Sequence, residues 1–118
     1  MSREKLKMTF DDDKKVIAFE TPAGNKLTLS ENGKSITIED QNGNKLILDD
    51  KGITLDSSKD IILKAAKDLK IEGQNLELKA QMSFKAEGNS SAELSSGAST
   101  TVKGGATTTI KGGIVQIN

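Results

Sequence analysis

From residue 53 onward the chain repeats itself about every eight residues. Each repeat carries two inward-type positions separated by one residue: Ile53/Leu55, Ile61/Leu63, Leu69/Ile71, Leu76/Leu78, Phe84/Ala86, Ala92/Leu94, Thr100/Val102, Thr108/Ile110 and Val115/Ile117. The steps between successive doublets are 8, 8, 7, 8, 8, 8, 8 and 7 residues. Repetition at a fixed short period marks a stacked architecture that grows along one direction. Residues at i and i+2 share one face of an extended strand, so each octad sends two side chains inward and the residue between them outward.

The doublets continue upstream at wider spacing. Met8/Phe10, Ile17/Phe19, Leu27/Leu29, Ile36/Ile38 and Leu46/Leu48 step by 9, 10, 9 and 10 residues. Between them lie Gly24-Asn25, Asn32-Gly33 and Asn42-Gly43-Asn44, residues that supply positive φ in tight turns. Two regions follow: residues 1–50, with longer strands and Asn/Gly turns, and residues 51–118, the octad array. Residues 56–70 could be misread as a helix, but their apolar pairs keep the eight-residue beat of their neighbours. The expected fold class is all-β.

Within the array a small residue recurs two places after the second inward position: Ala65, Gly73, Ala80, Gly88, Ser96, Gly104 and Gly112. A small residue at one phase marks a corner, where the backbone bends or another chain passes close. The pairs Gly104-Gly105 and Gly112-Gly113 are read as corners too. No Gly-Lys-Ser/Thr follows them, as a phosphate loop requires.

Two inward side chains per octad cannot bury each other within one strand. Apolar residues are 34 % of the chain, below what a packed domain of this size carries. Three chains wound around one axis would supply six inward side chains per layer, each contributing roughly 1.5–3 kcal/mol when fully buried. A single-chain solenoid would impose a superimposed period of three octads, and the glycine positions show none. The expectation is an intertwined homotrimer, a triple-stranded β-helical needle of fourteen layers and roughly 65 Å at one strand spacing per layer. Ala92, Thr100 and Thr108 replace larger inward residues late in the chain, implying a shaft that thins toward its C-terminus.

With these residues in view, the chain resembles the C-terminal needle of the VgrG (valine–glycine repeat) spike family of type VI secretion systems, itself related to the needles of contractile-phage tail spikes. Ile71-Glu72-Gly73, Val102-Lys103-Gly104 and Ile110-Lys111-Gly112 match the family's apolar–x–Gly octads. The stretches from Thr21 to Leu29 and from Ser35 to Lys45 look like the segment leading into the needle. Ile110 to Asn118 looks like its terminal layers. The resemblance implies a spike that punctures a target envelope, touching the membrane mechanically and transiently, and that carries a PAAR-like tip protein or an effector at its C-terminal end. It implies assembly in the bacterial cytoplasm without a signal peptide and export by the machine itself. It also implies upstream hub domains of the same spike, for which 118 residues leave no room. Some phage spikes hold a metal through His at the apex; this chain has no His, so that site is not carried over.

Physical reasoning supports a cap. A closed stack exposes unpaired strand edges only at its ends, and such edges invite pairing. Ile114, Val115, Gln116, Ile117 and Asn118 are the expected tip-docking residues.

Other chemistry is not expected. Lys plus Arg and Asp plus Glu balance at 17 each, so no basic surface points to nucleic acid. Asp11-Asp12-Asp13 and Asp49-Asp50 lack the alternating ligands of a calcium loop and are read as solvated turns. Hydroxyls are plentiful from Ser90 to Thr101, without a base to activate one. No catalytic residue, cofactor or metal ligand is assigned, and an enzyme is not expected. A glycan hydrolase would need paired carboxylates in a cleft, which the repeat does not supply. The rival reading is a trimeric fibre shaft or receptor-binding module of a phage-like particle. Aromatic residues commonly anchor such contacts, yet Phe10, Phe19 and Phe84 all fall at inward phases.

Overall fold

The computed structural model describes residues 5–118. Six five-residue strands form one antiparallel meander: β1 (Lys7–Asp11), β2 (Val16–Glu20), β3 (Lys26–Ser30), β4 (Ser35–Glu39), β5 (Lys45–Asp49) and β6 (Gly52–Asp56). No helix occurs among the described residues. The fold class is all-β, as the doublets require. The sequence left the strand direction of residues 1–50 open, and every pairing there is antiparallel. The first doublet of the octad beat, Ile53/Leu55, lies in β6 and pairs with β5.

The register gathers every apolar doublet of the sheet on one face. Met8 and Phe10 pair with Phe19 and Ile17, which pair with Leu27 and Leu29. The ladder continues through Ile38 and Ile36, Leu46 and Leu48, to Leu55 and Ile53. A one-residue slip would throw all of these to the opposite face, so the pattern fixes the pairing. On that opposite face a middle row runs Thr9, Ala18, Thr28, Thr37, Ile47 and Thr54. Beside it an edge row alternates in sign across all six strands: Lys7, Glu20, Lys26, Glu39, Lys45 and Asp56. Opposite charges directly across a strand pair stabilise it, and Lys26 Nζ stands 3.9 Å from Glu20 Oε1.

Turn chemistry closes each hairpin. Asp12 to Lys15 make the β1–β2 turn, where the Lys14 amide donates to Asp11 Oδ1 at 3.0 Å. The β5–β6 reversal turns on Asp50 and Lys51, with the Lys51 amide donating to Asp49 Oδ1 and Gly52 at φ 128°. Turns on one side of the sheet are tied to one another. Gln41 N–H donates to Asn25 Oδ1 at 3.0 Å, and Ser57 Oγ and Ser58 N–H both donate to Asn44 Oδ1. These side-chain bonds link the turns after β2, β4 and β6, elements sixteen or so residues apart in sequence.

At the β3–β4 turn the expected source of positive φ is displaced by one residue. Gly33 is not in the left-handed region; Lys34 is, at φ 51°. Gly33 serves by being small, because its amide donates to Ser30 Oγ at 2.9 Å and a Cβ there would lie only 2.9 Å from that same oxygen.

The chain divides into two compact units, Met1–Ile71 and Glu72–Asn118. From Ser57 to Asn118 no residue belongs to a strand. Bends recur instead, at 58–59, 66–67, 74–75, 81–82, 89–90, 97–98, 105–106 and 113–114. Each bend from 66–67 onward follows directly on one of the small residues of the repeat, Ala65 through Gly112.

Candidate assembly surface and terminal layer

Among the described residues no element packs over the apolar face of the sheet. Ala18, on the charged face, is the one buried hydrophobic residue among those described, at 8 % exposure. The apolar face is open, with Met8, Phe10, Ile53 and Leu55 all more than half exposed. Two open grooves lie on it, one against Phe10, Ile17, Leu29, Ile36 and Leu48, the other against Met8, Phe19, Leu27 and Ile38. A contiguous apolar face of this kind is a surface for association.

The octads repeat the situation without any sheet. Nearly every residue from Ser57 to Asn118 is exposed, including Ile61, Leu63, Leu76, Leu78, Phe84, Leu94, Val102 and Ile110. Their backbone amides and carbonyls make no strand pairing within the chain. Apolar side chains and unpaired backbone thus stand ready at the same places, which is what association by strand pairing around a shared core uses.

The corners come in two forms. At Gly88 and Gly104 the carbonyl that folds back is three residues on, at Ser91 and Thr107, and a Cβ would run into it. At Gly73 and Gly112 it is two residues on, at Asn75 and Ile114, and a Cβ would sit 3.2 and 3.1 Å away. The second pair marks the two places where the doublet spacing shortens to seven. Ser96, at the same phase, accepts hydrogen bonds from the Ala98 and Ser99 amides at 3.1 Å with its hydroxyl.

The last corner leads into the terminal layer. Ile114 lies in the bend at 84 % exposure, and Val115, Gln116, Ile117 and Asn118 follow, all exposed. At the bend position that Ile114 holds, earlier corners carry Lys59, Lys67, Asn75, Met82, Ser90, Ala98 and Ala106, most of them polar or small. The final layer therefore adds a branched apolar side chain at its vertex to the inward pair Val115 and Ile117.

An all-β chain whose apolar ladder has no cover among the described residues belongs to the class of associating structural domains. The chain belongs to the phage baseplate V C-terminal trimerisation domain family, whose model matches residues 16–118. The match spans the sheet from β2 onward and the whole octad array. It supports the VgrG-type needle resemblance and the homotrimer, and it places the chain among structural domains of phage-like baseplate spikes. A comparison with curated proteins found no match.

Proposed function

We propose that the chain is the needle of a contractile secretion or injection machine, a homotrimeric triple-stranded β-helix that punctures a target envelope and carries a tip or effector at its C-terminal end. The single observation that carries this reading is that Ser57–Asn118 holds an inward doublet, mostly apolar, every octad but no strand pairing and no buried residue of its own. Three copies would close the core and satisfy the backbone together. The division into residues 1–50 and the needle proper, 51–118, belongs to the same reading. So does assembly in the cytoplasm and delivery by the machine.

Stiffness is the mechanism. Hydrogen bonds along the axis lock each layer to the next, and a continuous apolar interior spreads thrust over many contacts. Ile114, Val115, Gln116, Ile117 and Asn118 would present the last strand edges and three copies of an apolar vertex to a flat partner such as a PAAR-like tip protein. Co-purification tests the docking. The full chain is expected to retain a PAAR-like tip, and the chain truncated after Gly113 to lose it while keeping its trimeric mass. Retention of the tip by the truncated trimer would remove the docking assignment.

A further inference from the structure

In the unit Glu72–Asn118 the outward positions carry two interleaved columns of charge. The residues just after each doublet are Glu72, Lys79 and Glu87, and those inside each doublet are Glu77, Lys85 and Glu93. From Glu72 to Glu93 both columns alternate in sign from octad to octad, and within the octads of 77–79 and 85–87 the two columns carry opposite signs. The result is a checkerboard. All six residues are exposed, and Lys85 Nζ reaches Glu87 Oε1 at 3.2 Å within its own octad. The sheet shows what such a row does between paired strands: Lys7, Glu20, Lys26, Glu39, Lys45 and Asp56 alternate directly across the strand pairs, with Lys26 and Glu20 in ionic contact.

We propose that this checkerboard is the surface by which copies of this chain recognise each other's layer, fixing octad n of one copy against octad n+1 of the next. The inference rests on the trimer reading given above. Octads of one chain pair with no octad of the same chain, so their strand neighbours come from other copies. When three copies wind about one axis and each octad covers one side, the neighbour along that side is the next octad of the next copy. That offset sets Lys85 between Glu77 and Glu93, and Lys79 between Glu72 and Glu87. An offset of two octads sets Glu77 beside Glu93 and Glu72 beside Glu87, and like charges directly opposite destabilise a strand pair.

The apolar doublets alone discriminate weakly. Every octad offers two inward positions at the same phases, so a stack slipped by a whole octad would still turn its doublets inward. Charge breaks the degeneracy where the hydrophobic pattern cannot, as polar and charged positions do in coiled coils. Beyond Glu93 the alternation ends: the positions inside each doublet are Thr101, Thr109 and Gln116, without charge, and those just after each doublet are Ser95, Lys103 and Lys111, which do not alternate. One block of alternating charge is enough, because register set there propagates through the continuous chain.

The uncharged positions allow the test to leave the checkerboard intact. The chain contains no Cys. Thr101→Cys with Thr109→Cys places thiols one octad apart in one column, and Thr101→Cys with Gln116→Cys places them two octads apart. After mild oxidation, non-reducing electrophoresis should show covalent trimers for the first pair and not for the second, since strands about 4.8 Å apart suit a disulfide. Lys85→Glu, added to the first pair, should lower the linked fraction severalfold. The column inversion Glu77→Lys, Lys85→Glu, Glu93→Lys should restore it, although it puts like charges side by side at 77/79 and 85/87 within one chain. Rescue by the inversion assigns the effect to contacts between copies. Equal linking with and without Lys85→Glu, an inversion no better than Lys85→Glu alone, or covalent trimers from the two-octad pair would overturn the inference. Light scattering on the reduced parent separates the two levels. A monomeric mass removes the trimer reading and this one with it, and a trimeric mass with unchanged linking removes only the role of charge.

Discussion

Asp40 and Asn44 are joined twice across the β4–β5 turn. The Asn44 amide donates to Asp40 Oδ1 at 2.9 Å, and the Asn44 side-chain amide donates to Oδ2 at 2.9 Å. Asn42 adds the same two kinds of bond, at 2.9 and 3.2 Å. Asn44 in turn accepts from Ser57 and Ser58, so one carboxylate organises the turn that braces the start of the octad region.

A pH dependence follows with a definite sign. The Asn44 backbone amide, then the Asn44 side chain, then the weaker contribution of Asn42 favour the ionised form, and the Asp40 carboxyl falls from its ordinary 3.8 to about 2. Unfolding releases these donors and returns the group to its ordinary value. Its contribution to stability is therefore complete above pH 3.8 and drains away as pH drops from there to about 2. Asp40→Asn should be less stable than the parent in urea melts at neutral pH, and the gap should narrow across that acid window. A gap that stays constant down to pH 2 would show that the carboxylate does not hold the turn.

The corner glycines should not be equivalent. Gly88→Ala and Gly104→Ala drive a Cβ into the Ser91 and Thr107 carbonyls, whereas Gly97, Gly105 and Gly113 have nothing within 4 Å of theirs. The first two substitutions are expected to cost about 1–3 kcal/mol per chain, as overpacking does. Alanine at 97, 105 or 113 should stay within about 0.5 kcal/mol of the parent. Thermal melts of the five variants, at one protein concentration, make the comparison.

Lys34 carries strain that glycine would relieve. An L-residue in the left-handed region costs about 1–2 kcal/mol, and the added freedom of a glycine in the unfolded chain returns about 0.5–1 kcal/mol of that. Lys34→Gly should therefore stabilise the protein slightly, by about 0.5 kcal/mol. Gly24→Ala, at φ 114°, should do the opposite by about 1–2 kcal/mol. Opposite shifts in the melting temperature are the expected result.

The same turns show what could be read from residues alone. Doublets such as Ile17/Phe19 and Leu27/Leu29 form strands where a neighbour is at hand to pair with, and their faces come together as the pattern demands, whereas the doublets after Ser57 have no such neighbour within the chain and form none. Small residues at one phase announced corners because nothing else fits beneath a carbonyl that folds back. The turn details were less legible. Asn32-Gly33 pointed to positive φ at glycine, but the Ser30 hydroxyl takes the Gly33 amide and passes the left-handed residue on to Lys34. In the Asp40–Asn44–Ser57 brace only the Asp40–Asn44 part is local, and Ser57 reaches Asn44 only once β5 and β6 have paired. The candidate docking residues Ile114 to Asn118 rest on resemblance and edge exposure alone, because no charge or polar constellation marks them.

Inside and outside should be separable by single charges. Leu78 and Val102, each 68 % exposed within the single chain, lie at inward phases, and Glu77 and Lys103 lie beside them at outward ones. Leu78→Asp or Val102→Asp would bring three carboxylates together at the axis of a trimer, where no cation accompanies them. Burying an unpaired charge is among the largest single costs a fold can meet. Both variants are expected to lose the trimer in light scattering. Glu77→Asp keeps its sign and Lys103→Asp remains solvated next to the uncharged Ser95 column position, so both should assemble with melting temperatures close to the parent's. The contrast matters because a lone chain exposes both phases alike. Only shared burial can make Leu78 and Val102 intolerant of charge while their neighbours accept it, and equal damage at the two phases would mean that the octad doublets do not face a common core.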